Sequence, residues 1–374
     1  MLYGHYITNK LSLLGISTWE LVDKATKVTL IAGFHSHGGT PVLIGDFLTT
    51  SGGDRYGLRK KVLLFADNCA LAWTGHLLAA NSVVTSLQSA LDGDALTLES
   101  VKAILTDPVT SRLGALQVSL IGWVVDDRGP HCFRWNSGYP HELFLGSPMY
   151  DGSGESFVQD VAGEAGLRDS SSPDATNPDR AVQGALFVAT NLMRSEMLGP
   201  TTRPLGFGFA YEILWLVDGQ RFAYVDNVLY FAITCELDEF GNFLRSEFSG
   251  SVYKYEAHGN FTAVYVYNPS ARHQDRHVIT PVGLHSKQEA DDLLRRIAKP
   301  EYPFPFSSDH YCVFLRLKAP NYLSPPVVMT FGKGAAQPDQ IIDASEPNAL
   351  SLRVSPEMVE WMYKAIREDQ KGGK

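Results

Sequence analysis

Lys27–Thr50 reads KVTLIAGFHSHGGTPVLIGDFLTT. Two apolar runs flank a Gly-rich turn, and the second run closes on an acid, Asp46. VTLIAGF (28–34) is predicted as a strand and HSHGGT (35–40) as its turn, with Gly38 and Gly39 supplying positive φ. PVLIGDF (41–47) is the return strand. Thr29 opens the first strand. Alone it is one more β-branched strand residue. At the head of a strand whose hairpin partner ends in an acid, it also has the neighbours of a nucleophile.

Downstream, TSGGDRYG (50–57) reads as a loop, and KKVLLFADNCALAWTG (60–75) as two strands about the turn Asp67-Asn68. Helical period runs through 77–91, where Leu78, Val83, Leu87 and Leu91 fall near one face, and a second helix follows at 99–107. A hairpin is expected across Asp126-Asp127-Arg128-Gly129, then a short strand at HELFLGS (141–147). The Ser/Pro/Asp-rich stretch 167–180 reads as a loop, the helix after it stops at Gly199-Pro200, and strands follow over 207–217 and 220–237. After Leu237 the texture changes to Tyr-rich alternation (247–257, 260–268), a helix with a Ser286–Glu289 capping box, a strand at 310–319 and a closing helix at 355–369.

The 374 residues suffice for two domains and a real core. Hydrophobic residues make up 44% and charged residues 20%, as in an ordinary folded chain. A net charge of −9 without long runs of one sign argues against nucleic acid and anionic membranes as partners. No apolar stretch approaches the ~20 residues of a membrane span. Cys69, Cys132, Cys235 and Cys312 are far apart with no CxxC, which suits reduced, buried thiols in a cytoplasmic protein. His35 and His37 form an HxH with no third ligand in view, so no metal or other cofactor is expected. His273, His277 and Asp309-His310 have no serine or cysteine partner at catalytic spacing.

A threonine hydroxyl needs a nearby base to act as a nucleophile. Its own α-amine, with a pKa of about 8, can serve if it is free of a peptide bond. A cation to tune that amine, a carboxylate to hold the cation and an N–H for the oxyanion complete the set. Asp46, Lys60-Lys61 and the Trp73-Thr74-Gly75-His76 junction between strand and helix supply candidates.

VTLIAGF, the Gly turn, VLIGDFLTT, RKKVLLF and ALAWTG, with the helix after them, resemble the front half of a proteasome-type β-subunit, a family of N-terminal-nucleophile hydrolases. The likeness spans roughly 28–235 and is strongest to about residue 90. It implies an α+β fold, a four-layer α-β-β-α sandwich, with residues 238–374 as an additional C-terminal α+β region. It also implies threonine-type hydrolysis of a peptide or small amide. Thr29 would be the nucleophile, Asp46 and Lys61 its tuning pair and Gly75 the oxyanion donor. Ser147, in LFLGS, would be the auxiliary serine. A homo-oligomer is implied by the same likeness.

The departures are Val28 where Gly usually precedes the threonine, an apolar residue near Leu48, and no legible acid-and-serine pair in NLMRSEMLGP, where Ser195 and Glu196 are the nearest polar residues. Residues 1–27 read as a propeptide or as a mis-annotated start, since initiation at Val28 followed by methionine removal would free Thr29. The rival reading is an inactive chain that keeps the fold for binding or assembly.

Overall fold

The computed structural model describes residues 29–51, 55–89, 96–107, 117–164, 178–197, 202–283, 285–299, 308–324, 327–331, 342–346 and 349–352. The segment before Thr29 and the expected closing helix at 355–369 lie outside these residues.

The expected hairpin forms. β1 (Leu30–His35) and β2 (Pro41–Asp46) pair antiparallel from Ile31 opposite Gly45 to His35 opposite Pro41. A turn over His37–Gly39 joins them, with Gly38 and Gly39 at φ 73° and 71°. Of the stretch read as a loop, residues 50–51 and 55–57 instead lie in two paired strands, β3 (Leu48–Ser51) and β4 (Arg55–Leu58).

Four strands follow in meander: β5 (Val62–Ala66), β6 (Cys69–Gly75), β7 (Val118–Asp126) and β8 (Gly129–Asn136). With β9 (Leu143–Leu145) they make a five-stranded sheet in that order. A second five-stranded sheet runs β10-β1-β2-β11-β12, with β10 at Met149–Gly152, β11 at Tyr211–Val217 and β12 at Arg221–Tyr224. Ile31, Leu43, Val62, Ile121, Trp123 and Leu214 are buried where the two sheets face each other.

Two helices, α1 (Leu77–Ser89) and α2 (Leu98–Leu105), cover the outer face of the meander sheet through Val83, Leu87 and Val101. Thr97 caps α2 by accepting from Ser100 N, and the Ser100 hydroxyl answers Thr97 N. α3 (Glu155–Glu164) and α4 (Pro178–Met197) follow β10.

The third sheet has eight strands: β17 (His273–Ile279), β16 (Phe261–Asn268), β15 (Val252–His258), β13 (Val228–Leu237), β18 (His310–Ala319) and β19 (Tyr322–Leu323) in order. β14 (Phe243–Phe248) pairs with β13, and β20 (Val327–Phe331) with β18. β13 and β18 are parallel; the other pairs are antiparallel. α5 (Lys287–Ile297), capped by Ser286 as expected, packs Ala290, Leu293 and Ile297 on its outer face. A small hairpin of β21 (Ile342–Glu346) and β22 (Ala349–Leu352) completes the described elements.

The expectation of an α-β-β-α sandwich with an α+β appendage is corrected by this arrangement. The described residues are mostly β, built of several largely antiparallel sheets with five α-helices among them. The physical reason lies in α4. Val182, Ala185, Leu186, Val188, Ala189, Leu192 and Met193 are all buried and spread over about half its circumference, too wide a stripe for an outer helix. α4 accordingly shares one core with Leu30, Val42 and Ile213 of the second sheet and with Tyr230, Val264 and Phe314 of the third. A sheet closes the stack where a helical layer was expected. Residues 228–237, read with the preceding unit, pair with β14, β15 and β18, all later in the chain.

A buried ion pair ties the three sheets together. Lys60 Nζ lies 3.1 Å from Glu212 Oε1 of β11 and donates to Thr262 Oγ1 of β16 at 3.1 Å. Thr262 in turn donates to Glu212 at 2.6 Å, and the ring of Tyr224 sits 3.8 Å beneath the ammonium. All four cysteines are free and buried. No helix among the described residues is long and apolar enough to cross a membrane.

Candidate active site

Antiparallel pairing brings the head of β1 to the tail of β2. Thr29, the residue before β1, donates its hydroxyl to Asp46 Oδ1 at 2.7 Å. Leu30 N donates to the same oxygen at 2.9 Å, and Lys61 Nζ at 2.6 Å. The other oxygen, Oδ2, receives Gly208 N at 2.8 Å. Thr29 and Asp46 have no exposed surface, and Lys61 has 1%. Lys61 also donates to Leu48 O. Its backbone is pinned by Trp73 N, which donates to Lys61 O at 3.2 Å, where the start of β5 meets the end of β6.

Three of the sequence-derived residues therefore form one hydrogen-bonded unit. Burial pulls the Lys61 pKa below the ordinary lysine value, and the Asp46 carboxylate opposes that shift. The paired Asp46 carboxylate is what holds positive charge on Lys61 in this water-excluded place, where that charge acts on its neighbours with little screening. Tyr211, paired with Asp46 in β11, is buried, and its hydroxyl has no partner among the described residues. Burial first, then the Asp46 and Glu196 carboxylates, keeps that phenol protonated.

Gly75 closes β6 two residues beyond Trp73, at the same sheet end as Lys61 and directly ahead of α1. Its φ is +104°, and a Cβ there would lie 2.2 Å from Gln117 O. Glycine is thus required where the strand turns into the helix. Its neighbour Thr74 has a buried hydroxyl without a partner among the described residues.

Ser147 is separated from this unit. β1 and β10 run antiparallel with Leu30 opposite Gly152 and Gly33 opposite Met149. Ser147 lies two residues past Met149, toward the His35 end, six residues from the level of Thr29 and so roughly 20 Å away at strand rise. The serine beside Thr29 is Ser153, whose hydroxyl donates to Thr29 O at 3.3 Å, with Gly154 N on the same carbonyl at 3.2 Å. Gly152, at φ +100°, lets the chain pass there, since a Cβ would fall 2.2 Å from Thr29 O. The signal in the sequence was the tripeptide Gly152-Ser153-Gly154, six residues after Gly146-Ser147. Only strand register tells the two apart.

Sequence reasoning also missed Gly208, at φ +117°. Glu196 is occupied, taking Thr202 Oγ1 and Arg203 Nε at 2.9 Å each. His35 packs its ring edge-on against Trp123 at 4.9 Å, and burial lowers its pKa. No cluster of three metal-ligating side chains occurs among the described residues. Neither a family model nor a curated protein matches the chain.

Proposed function

We propose that the chain is a threonine-type amide or peptide hydrolase that acts through Thr29 once its α-amine is free. The observation that carries this reading is the buried relay Thr29 Oγ1–Asp46 Oδ1–Lys61 Nζ, with steps of 2.7 and 2.6 Å. Thr29 Oγ adds to the amide carbonyl and its proton passes to the α-amine. The C–N bond breaks as the amine returns that proton to the leaving nitrogen. Water then hydrolyses the ester on Thr29 and restores the hydroxyl. Lys61, held by Asp46, depresses the basicity of the α-amine toward neutral pH by its charge. The Gly75 N–H serves as oxyanion donor, at the N-terminus of α1. The resemblance to proteasome-type β-subunits supports the same chemistry and adds a homo-oligomer, to be checked by sedimentation. Free, buried thiols support a cytoplasmic setting.

The amide nitrogen of a peptide-bonded Thr29 has no such basicity. The mechanism therefore requires loss of the residues ahead of it, by cleavage after Val28 or by initiation there and methionine removal. Intact mass and N-terminal sequencing of protein from its native host should give a chain beginning Thr-Leu-Ile-Ala. Thr29→Ala should abolish hydrolysis of peptide amides with the melting temperature nearly unchanged; a variant as active as its parent rejects the assignment.

One observation favours a second reading, an inactive binding or assembly protein: Thr29 has no exposed surface. A native chain that keeps residue 28 attached would select that reading.

A further inference from the structure

A cavity of about 480 Å³ lies between the Arg203–Leu205 turn, Phe209 and strands β15, β16 and β17. That size is at the small end of the ~300–1,000 Å³ of small-molecule sites. Its wall is built and strained. Phe209 is a non-glycine residue at φ +81°, a conformation costing on the order of 1–3 kcal/mol that persists only where surroundings enforce it. Here they do: its ring stands edge-on to Tyr253 and His277, at 6.4 and 5.0 Å, with the Arg203 guanidinium 5.4 Å above.

The charges on the lining are of both signs. Glu196 is closed off by Thr202 and Arg203. Arg203 uses Nε and Nη2 on Glu196, and Nη1 has no partner among the described residues; its side chain is 32% exposed. Asp275 is 58% exposed, with the side chain of His273 3.0 Å away. Burial lowers the His277 pKa, so its ring adds polarity without charge near neutral pH. A simple anion would meet Asp275 on the same lining, and a simple cation would meet Arg203. A molecule bearing one charge of each sign meets both, with its apolar part on Phe209 and Val266.

We propose that this cavity is a binding site for a small zwitterion of the α-amino-acid or dipeptide class with an apolar or aromatic side chain. Its carboxylate meets Arg203 Nη1 and its ammonium meets Asp275. The site does not depend on the chemistry assigned to Thr29.

Titration calorimetry on the full chain tests it with three probes: L-phenylalanine, N-acetyl-L-phenylalanine, which lacks the ammonium, and phenethylamine, which lacks the carboxylate. Phenylalanine should bind with a Kd below about 1 mM and each single-charge analogue at least about tenfold more weakly. Asp275→Asn, on a half-exposed side chain, should weaken phenylalanine about tenfold and leave N-acetyl-phenylalanine unchanged. Ser251→Trp, at the cavity wall, should abolish binding; should that variant fail to fold, Asp275→Asn still decides. Absence of heat from phenylalanine at about 10 mM overturns the proposal. So does equal binding of all three probes, phenethylamine as tight as phenylalanine, or full affinity in Asp275→Asn.

Discussion

Asp46 gathers four donors from three points of the chain: Thr29 and Leu30, Lys61, and Gly208. Asp46→Asn keeps the shape but leaves Lys61 buried without a counter-charge. It should lower stability by about 3–5 kcal/mol, read by urea denaturation, and should remove any hydrolysis. A loss below about 1 kcal/mol would mean that Lys61 finds another partner or sheds its proton. Thr29, Asp46 and Lys61 were legible because a short hairpin and the next strand bring them together, so local spacing reports their proximity. Gly208 was not, because 162 positions separate it from Asp46 and an N–H carries no side-chain signature. Ser153, 124 positions from Thr29, was hidden in the same way behind a more obvious Gly-Ser pair. Ser153→Ala should lower kcat about tenfold with KM little changed, whereas Ser147→Ala should leave both alone. Steady-state kinetics on one substrate compares the two directly.

At the scale of elements, the strand-to-helix junction at Gly75 and the hairpin around Gly38-Gly39 were readable because each rests on a backbone demand only glycine meets cheaply. Gly75→Ala would force a Cβ to within 2.2 Å of Gln117 O at a positive φ. It should cost at least about 2 kcal/mol in a denaturation experiment and shift the first turn of α1. A neutral result would show that β7 can yield there. Helix α4 was readable as a helix but not as an inner one. Val182, Leu186, Ala189 and Met193 alone make a stripe narrow enough for an outer helix, and the added burial of Ala185, Val188 and Leu192 declares itself only once two sheets are present. The β3–β4 hairpin was lost to its Gly and Ser content, which reads as loop when strand pairing is unknown.

Across the whole molecule, Lys60, Glu212 and Thr262 join elements that sequence reading had kept in separate regions. Burial draws the Lys60 pKa below 10.5, with Glu212 opposing, and pushes the Glu212 pKa above 4.5, with Lys60 opposing. Between the folded Lys60 pKa and 10.5 the unfolded chain binds more protons, so stability rises with pH there. Between 4.5 and the folded Glu212 pKa the folded chain binds more, so stability falls as pH rises. Replacing Lys60→Met, Glu212→Leu and Thr262→Val together should flatten both slopes and leave stability at neutral pH equal or higher by about 1–4 kcal/mol. Urea melts at a series of pH values would show it; unchanged slopes would place the titrating groups elsewhere. For descent with modification, the trio is a valley between two peaks. Each single replacement strands a buried charge, and the apolar solution is reached only when the positions change together. A lineage carrying Lys60 and Glu212 is therefore held to them by the route out, whatever the pair itself contributes.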